Sequence, residues 1–299
     1  RWSQAELAYG IEDSAPVAIF VDVEFLETAR KLRAEISPHM VIICLNAGGT
    51  SSHDVLDLES MIGASERAPS SFGPVDTLAM ICYTGGTTGQ SKGVMLSHLA
   101  LWSSALGFGA DVRDLAHESS TSLLVMPLFH VGGLLSMFAM TLGAGCCVFL
   151  RTFDPVAVMG IVQARRVTHL ILVPTMIRMI LDRRELPDYD LSSIKVLSYG
   201  ASPMTEGQIR ETLEKLPGVN LQQSYGQTEL SPYISKLSME QHLSDDSGPA
   251  RLTSVGHAGI VSEIIIADDD LRELPRRDVG EILVRGPHTM TGYWRKPDE

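Results

Sequence analysis

The sequence predicts an α/β fold: largely parallel sheets flanked by helices, in two αβ subdomains, followed by a small β-rich, barrel-like portion. Between residues 17 and 223, apolar runs of strand length alternate with helical patterns, the order that builds a parallel sheet with helices on both faces. Residues 119–150 contain no Asp, Glu, Lys or Arg, as expected of a buried α/β core. After Ser231 the texture changes to Ser, Asp, Gly and Pro with short apolar runs between, which reads as hairpins.

In order, residues 17–21 read as a strand, 24–35 as an amphipathic helix and 40–45 as a second strand, a βαβ unit. Residues 46–74 read as a surface connection with one short helix over 55–62, leading into a buried strand at 78–82. Ser97-His98 can start a helix to about residue 107, and 122–126 is a strand. The charge-free run is long enough for a membrane span, but Pro127, Gly132, Gly133, Gly143 and Gly145 divide it into strand, loop, a helix of about ten residues, and a strand at 146–150. Helices follow at 155–165, at 174–182 with Pro in the first turn, and at 204–216 before Pro217-Gly218. Strands are expected at 169–173, 194–198 and 219–223, then at 263–267 and 281–285 around a charged turn. The expected division is a core over 1–235 and a β-rich portion over 236–299. No internal repeat of fixed period is evident.

With 299 residues, 44% of them hydrophobic, the chain can bury one large or two medium cores. The formal charge of -12 disfavours nucleic acid as a partner, so any phosphate site must be built locally. Cys44, Cys82, Cys146 and Cys147 all lie in apolar runs and read as reduced core residues of a cytoplasmic protein. Shallow peripheral membrane contact is compatible with the apolar run. The chain starts at Arg1 without a signal peptide and ends at Glu299 without a helix stop, so it is expected to be cut at both ends.

The chemistry gathers first at residues 83–93, YTGGTTGQSKG, directly after the strand at 78–82. Glycines there let backbone N–H groups point inward, hydroxyls add donors, and Lys92 adds a mobile positive charge: a phosphate cradle. Its candidate ligands are Thr84, Gly85, Gly86, Thr87, Thr88, Gly89 and Lys92, with Thr88 and Lys92 toward the pyrophosphate end of ATP. A Walker loop needs Gly before Lys and a hydroxyl after it; here Ser91 precedes Lys92 and Gly93 follows. A flexible Gly/Thr surface loop is the bland alternative.

Three further stretches follow predicted strands. In MPLFHVGG, 126–133, a lone His is more often a core or capping residue, but Pro127 and the Gly pair suggest a shaped loop. In SYGASP, 198–203, small residues let a flat ring approach the backbone; Met204 stands where a nucleophile elbow needs Gly, so Ser202 is a poor hydrolase nucleophile. In QSYGQTE, 223–229, Tyr225 can stack on a base and Thr228 can donate to an α-phosphate. Glu229 can hold Mg²⁺, which needs one or two carboxylates plus phosphate oxygens. Gln223 and Gly226 complete that group, against an ordinary strand end and turn.

These stretches, with GEILVRG at 280–286 and Gly292-Tyr293-Trp294, resemble the signatures of the adenylate-forming superfamily: acyl-CoA synthetases, luciferases and peptide-synthetase adenylation domains. The resemblance runs from residue 5 to residue 297 and is closest to a fatty-acid–CoA ligase. It implies that an acid is activated with Mg·ATP to an acyl-adenylate and then transferred to coenzyme A. It also implies that His130 positions the carboxylate, that Gly200, Ala201 and Ser202 face adenine, and that His130, Lys92, Thr228 and Glu229 form the catalytic set. The 280–286 stretch and the Gly292-Tyr293-Trp294 that follows it read as mainly structural. Further implications are a missing N-terminal portion and a C-terminal domain beyond Glu299, carrying a catalytic lysine, without which activity should be very weak. A peptide-synthetase domain would place an acidic anchor near His130, where Phe129 and Val131 stand instead. An acyl-AMP ligase feeding a carrier protein would share every motif, and a non-catalytic nucleotide-binding module is a third alternative. Gly85-Gly86 favours an acyl over an aryl acid only slightly.

Overall fold

The computed structural model describes residues 2–48, 54–68, 73–85, 90–112, 115–243 and 251–298. The chain forms two compact units, Arg1–Pro74 with Gly85–Gly93 and Tyr293–Glu299, and Val75–Thr84 with Val94–Gly292.

The first unit opens with helix α1 (Gln4–Ser14). Ser3 Oγ accepts from Glu6 N at 3.3 Å and Glu6 Oε2 accepts from Ser3 N at 2.6 Å, a reciprocal cap that defines where the helix starts. Strand β1 (Ala18–Val21), helix α2 (Leu26–Ile36) and strand β2 (Val41–Cys44) form the expected βαβ unit, with Ala18 opposite Val41 in parallel register. Ala29 and Leu32 on α2 are buried, Ala29 in one cluster with Ile42 and Leu32 in another with Met40. Strand β3 (Leu56–Asp57) lies parallel to β2, and α3 (Leu58–Ala64) follows. The helix expected at 55–62 therefore starts later, because the Asp57 carboxylate accepts from Ser60 N at 3.0 Å and acts as its cap.

Strand β4 (Leu78–Thr84) ends where the chain passes from the second unit to the first, and β5 (Lys92–Ser97) runs through the point where it returns. The second was not legible in sequence, since Lys92 and Gly93 extend the glycine-rich signature into it. Ser97 Oγ then accepts from Ala100 N at 3.0 Å and starts α4 (His98–Asp111).

The rest of the second unit alternates strand and helix: β6 (Thr121–Leu124), α5 (Val131–Leu142), β7 (Cys146–Phe149), α6 (Pro155–Arg165), β8 (His169–Leu172), α7 (Pro174–Leu181), β9 (Val196–Gly200), α8 (Glu206–Lys215), β10 (Asn220–Tyr225), β11 (Ser235–Leu237), α9 (Met239–His242) and β12 (His257–Ala258). One seven-stranded sheet results, in the order β12-β11-β10-β9-β8-β6-β7. Its five strands β6 to β10 pair in parallel, while β11 and β12 are antiparallel additions at one edge.

Strand side chains alternate between faces, and two cores follow. Leu170, Leu172 and Leu197 pack with α6, α7 and α8 through Val158, Ile177 and Ile209. Ile171 and Val196 belong with α4 and α5 through Phe108, Leu135 and Ala139. This is the α/β architecture with helices on both faces that the sequence predicts.

Two expectations need correction. Strand β7 is the edge of the sheet, so Phe149 and Cys146 are exposed and the run 119–150 is not buried throughout. Cys44 and Cys82 are buried and Cys147 half-buried, all four thiols being free; apolar character alone does not distinguish an edge strand from a central one. Helix α5, in the middle of that run, has 12 residues. Among the described residues no helix is long and apolar enough to cross a membrane.

Beyond β12, β13 (Glu263–Ala267) and β14 (Glu281–Arg285) form an antiparallel hairpin with Glu263 opposite Arg285. Strand β15 (Gly292–Tyr293) ends the described elements. Among the described residues the β-rich portion is thus one hairpin, strands on the edge of the large sheet, and β15, which joins β5 and β4 in a three-stranded sheet; no closed barrel is seen among them.

Candidate active site

Strands β6, β8, β9 and β10 end on the same side of the parallel sheet, and the loops leaving them bound a cleft of about 470 Å³. That is where an open α/β sheet offers backbone groups from several loops to one ligand. The β6 loop contributes Met126, Pro127 and His130, the β9 end Gly200 and Ala201, and the β10 end Tyr225, Gly226 and Thr228.

His130 is the N-cap residue of α5, and its carbonyl accepts from Gly133 N at 3.0 Å. Its side chain makes no capping hydrogen bond and is exposed, so the imidazole is left for the cleft. The ring lies 4.6 Å from that of Phe129, centroid to centroid. Gly133 permits this geometry: a Cβ there would stand 2.6 Å from Pro127 O. His130, Val131 and Gly132 together turn the N-terminus of a twelve-residue helix toward the cleft, an arrangement that favours an anion.

Backbone proximity also shapes the opposite wall. A Cβ on Gly200 would meet Ser224 O at 2.4 Å, and Ala201 adopts a left-handed φ of 65°. A Cβ on Gly226 would fall 1.5 Å from Pro232 O, so only glycine fits between β10 and the returning chain. Tyr225 ends β10, pairing with Ser235.

Glu229 sits one residue past Thr228, half-buried, and its carbonyl accepts from Met290 N at 2.8 Å. Its carboxylate is near Cys82, whose thiol pKa is pushed up first by burial and further by the Glu229 charge. Cys82 Sγ in turn donates to Phe129 O at 3.8 Å, which brings β4, the His130 loop and Glu229 together. Among the described residues no group of three or more His, Cys, Asp or Glu could hold a metal ion by itself. A Mg²⁺ arriving with a nucleotide needs fewer protein carboxylates, and Glu229 offers one. Gln223 and Ser202 do not line the cleft: Gln223 is buried in mid-strand opposite Tyr199, and Ser202 is exposed beyond Ala201.

The end of the glycine-rich loop belongs to the first unit, where Gly85 has open space around its Cα and Lys92 starts β5. Ser91 O accepts from Tyr9 Oη at 3.0 Å and Gly93 O accepts from Trp294 N at 2.7 Å. Between these anchors Lys92 Nζ lies 4.9 Å from the centre of the Tyr293 ring. Thr84 ends β4 in the second unit. Gly86, Thr87, Thr88 and Gly89 lie outside the described residues.

The family of AMP-binding enzymes matches residues 1–294. The chain belongs to that family. It is 33% identical over 287 residues to an indoleacetate–CoA ligase of Aromatoleum aromaticum, covering 95% of this chain and 54% of the relative. It is 29% identical to a medium/long-chain-fatty-acid–CoA ligase of Mycobacterium tuberculosis, over 99% of this chain and 51% of that protein. The chain thus spans about half the length of these relatives. Among solved structures, the amide bond synthetase McbA of Marinactinospora thermotolerans superposes with a TM-score of 0.81 at 30% identity, over 99% of this chain and 57% of that one. ATP-bound MatB of Rhodopseudomonas palustris gives 0.84 at 27%, over 99% and 56%.

Several cleft residues escaped sequence reasoning. Phe108 and Leu135 come from α4 and α5, and Tyr233 from the return after β10. Their only sequence signal is an aromatic or apolar helical face, which any core helix shares. Tyr9 and Trp294 hold the loop's end from opposite ends of the chain, a contact that no local pattern announces.

Proposed function

We propose that the protein activates a carboxylic acid with ATP and passes the acyl group to coenzyme A. The carboxylate oxygen attacks the α-phosphorus, forming the acyl-adenylate as the bond to the departing pyrophosphate breaks. The CoA thiol then attacks the acyl carbonyl, gives up its proton, and releases AMP. The observation that carries this reading is one cleft in which His130 and the α5 N-terminus share walls with Tyr225, Thr228 and the Gly200-Ala201 turn. In these roles His130 and the helix N-terminus hold the acid, Tyr225 and the turn hold the base, and Thr228 donates to the α-phosphate. Lys92 and the glycine-rich loop offset phosphate charge. Glu229 would hold the Mg²⁺ carried with ATP, which would supply neutralisation of the developing phosphate charge.

Phe108, Leu135, Ile171 and Met176 make much of the lining apolar, which supports an acid with an apolar body, a fatty acid first. The names of the curated relatives support CoA as acceptor over a carrier protein or an amine. The test is acid-dependent pyrophosphate release over a panel of fatty and arylacetic acids, followed by a thioester assay with CoA. Release without thioester would redirect the second step to another acceptor; no release with any acid would reject the reading. His130→Ala should lower acid-dependent turnover about 100-fold or more, the size lost with one preorganised polar group, while leaving ATP affinity unchanged.

A further inference from the structure

His242, at the end of α9, is 3% exposed. Its Nδ1 lies 2.7 Å from Ser238 O, an oxygen that can only accept, so Nδ1 carries the proton. Nε2 is left as the acceptor, 3.0 Å from Tyr199 Oη, and the two rings meet edge to face with centroids 5.8 Å apart. Burial pushes the Tyr199 phenol far above its ordinary pKa, so it keeps the hydrogen it donates. Tyr199, Gly200 and Ala201 are consecutive in the cleft wall. That wall has a strained residue, Ala201 at φ 65°, and no slack at Gly200, where even a Cβ would strike Ser224 O. A strained turn persists only where its surroundings hold it, and among the described residues the polar partner of the Tyr199 hydroxyl is His242.

We propose that His242 is a positioning residue for the Tyr199-Gly200-Ala201 wall, acting through the Tyr199 hydroxyl, so that affinity for the adenine moiety follows the state of its imidazole. The proposal rests on the reading that adenine occupies this cleft. A proton on Nε2 would remove the acceptor and leave the Tyr199 hydroxyl facing a donor. Burial holds the His242 pKa below the ordinary value, with the Ser238 carbonyl opposing, so the neutral form is the resting state. Among the described residues, Tyr199 is the titratable group facing it from β9, and its own helix carries Glu240. On β10, against which α9 packs, the titratable residue is Tyr225, with no Asp, Glu, Lys, Arg or His. Arg251 bonds the preceding Gln241 through its backbone N–H at 2.9 Å.

The test compares wild type, His242→Phe, Tyr199→Phe and the double variant. Amide hydrogen exchange at residues 199–202 without nucleotide is one readout, and Mg·ATP titration is the other. His242→Phe orphans the buried hydroxyl, so exchange at the wall should rise and ATP should bind about tenfold more weakly. The double variant should recover most of both, because the orphaned group is gone. If His242→Phe does not fold, His242→Gln, which retains an acceptor and a donor, takes its place, with smaller changes of the same sign. A third readout is adenosine affinity, which has no titrating phosphate. In wild type it should stay level through about pH 6.5 and fall only in more acid solution, where the depressed imidazole takes its proton; in His242→Gln it should stay flat. Unchanged exchange at 199–202 in His242→Phe overturns the proposal. So does unchanged ATP affinity, or a deficit that the double variant keeps in full. Should wild type bind neither ATP nor adenosine, the assignment of the cleft to a nucleotide fails, while raised exchange confined to 199–202 still establishes the positioning role.

Discussion

Lys92 Nζ and the Tyr293 ring centre are 4.9 Å apart, with Trp294, the next residue, bonded from its backbone N to Gly93 O. The Gly292-Tyr293-Trp294 stretch, which sequence reasoning gave only a structural part, thus holds the lysine assigned to phosphate. A cation over a half-exposed ring is worth about 0.5–1 kcal/mol. Tyr293→Leu is therefore expected to weaken ATP about two- to fivefold and AMP hardly at all. Lys92→Ala should cost ATP more, since charge-assisted bonds to phosphate contribute about 1.5–3 kcal/mol. Isothermal titration with both nucleotides is the check; equal losses for AMP and ATP would remove Lys92 from the pyrophosphate end.

Glycines at two positions should respond in opposite ways. Gly226→Ala drives a methyl into Pro232 O, whereas Gly207 in α8 has nothing within 4 Å of the added atom. Overpacking of this kind costs about 1–3 kcal/mol or more, while Ala in an open helix gains up to about 1 kcal/mol over Gly. Urea denaturation should show Gly226→Ala destabilised, with ATP binding lost alongside, and Gly207→Ala unchanged or more stable.

At the end of α4, Asp111 gathers three partners: Tyr233 Oη at 2.9 Å, Ile260 N at 2.9 Å and Lys236 Nζ at 3.0 Å. The Asp111 and Lys236 side chains are only 15% and 17% exposed. Removing one member of such a pair strands the other charge, at a cost of about 3–5 kcal/mol. Asp111→Ala should lose that much in a denaturant titration, and Asp111→Asn distinctly less. Adding Lys236→Met to Asp111→Ala should restore part of the loss; additive losses would mean that the two charges do not interact.

Acid should destabilise the protein through two buried imidazoles. His288 is fully buried, with Nε2 3.2 Å from Ser262 Oγ, and burial lowers its pKa as it lowers that of His242. The unfolded imidazoles take up protons near pH ~6.5, before the folded ones do. The unfolded state therefore binds more protons as pH falls, and stability falls with it. The urea midpoint should be level above about pH 7.5 and decline below ~6.5. His288→Asn, less stable overall, should show a shallower decline; an undiminished one would locate the acid sensitivity elsewhere.

What was legible depended on how local the cause was. Helix α6 is bounded as expected because Pro155 and the Asp154 cap, accepting from Ala157 N at 2.8 Å, act within one turn. The β13 and β14 strands were equally clear because a charged turn separates them. Strand β5 was missed because its apolar residues, Val94, Met95 and Leu96, follow directly on a loop signature. Cys146 was misjudged because whether a strand lies at the edge of a sheet is decided by topology. In the site, His130 and Tyr225 could be named from their motifs, whereas Phe108, Tyr233 and His242 needed the fold to bring them to the cleft and its wall.

Phe108, Leu135, Ile171 and Tyr233 belong at once to the core beneath α4 and α5 and to the lining of the cleft. The side chains that shape the space for a ligand therefore also fasten two helices to the sheet. On the proposed function, any replacement that admits a bulkier or slimmer acid disturbs that packing, and has to be balanced by a second change nearby. A lineage that switched acids should carry coupled replacements on α4 and α5, whereas Val158, Ile177 and Ile209 behind the sheet should vary independently of diet.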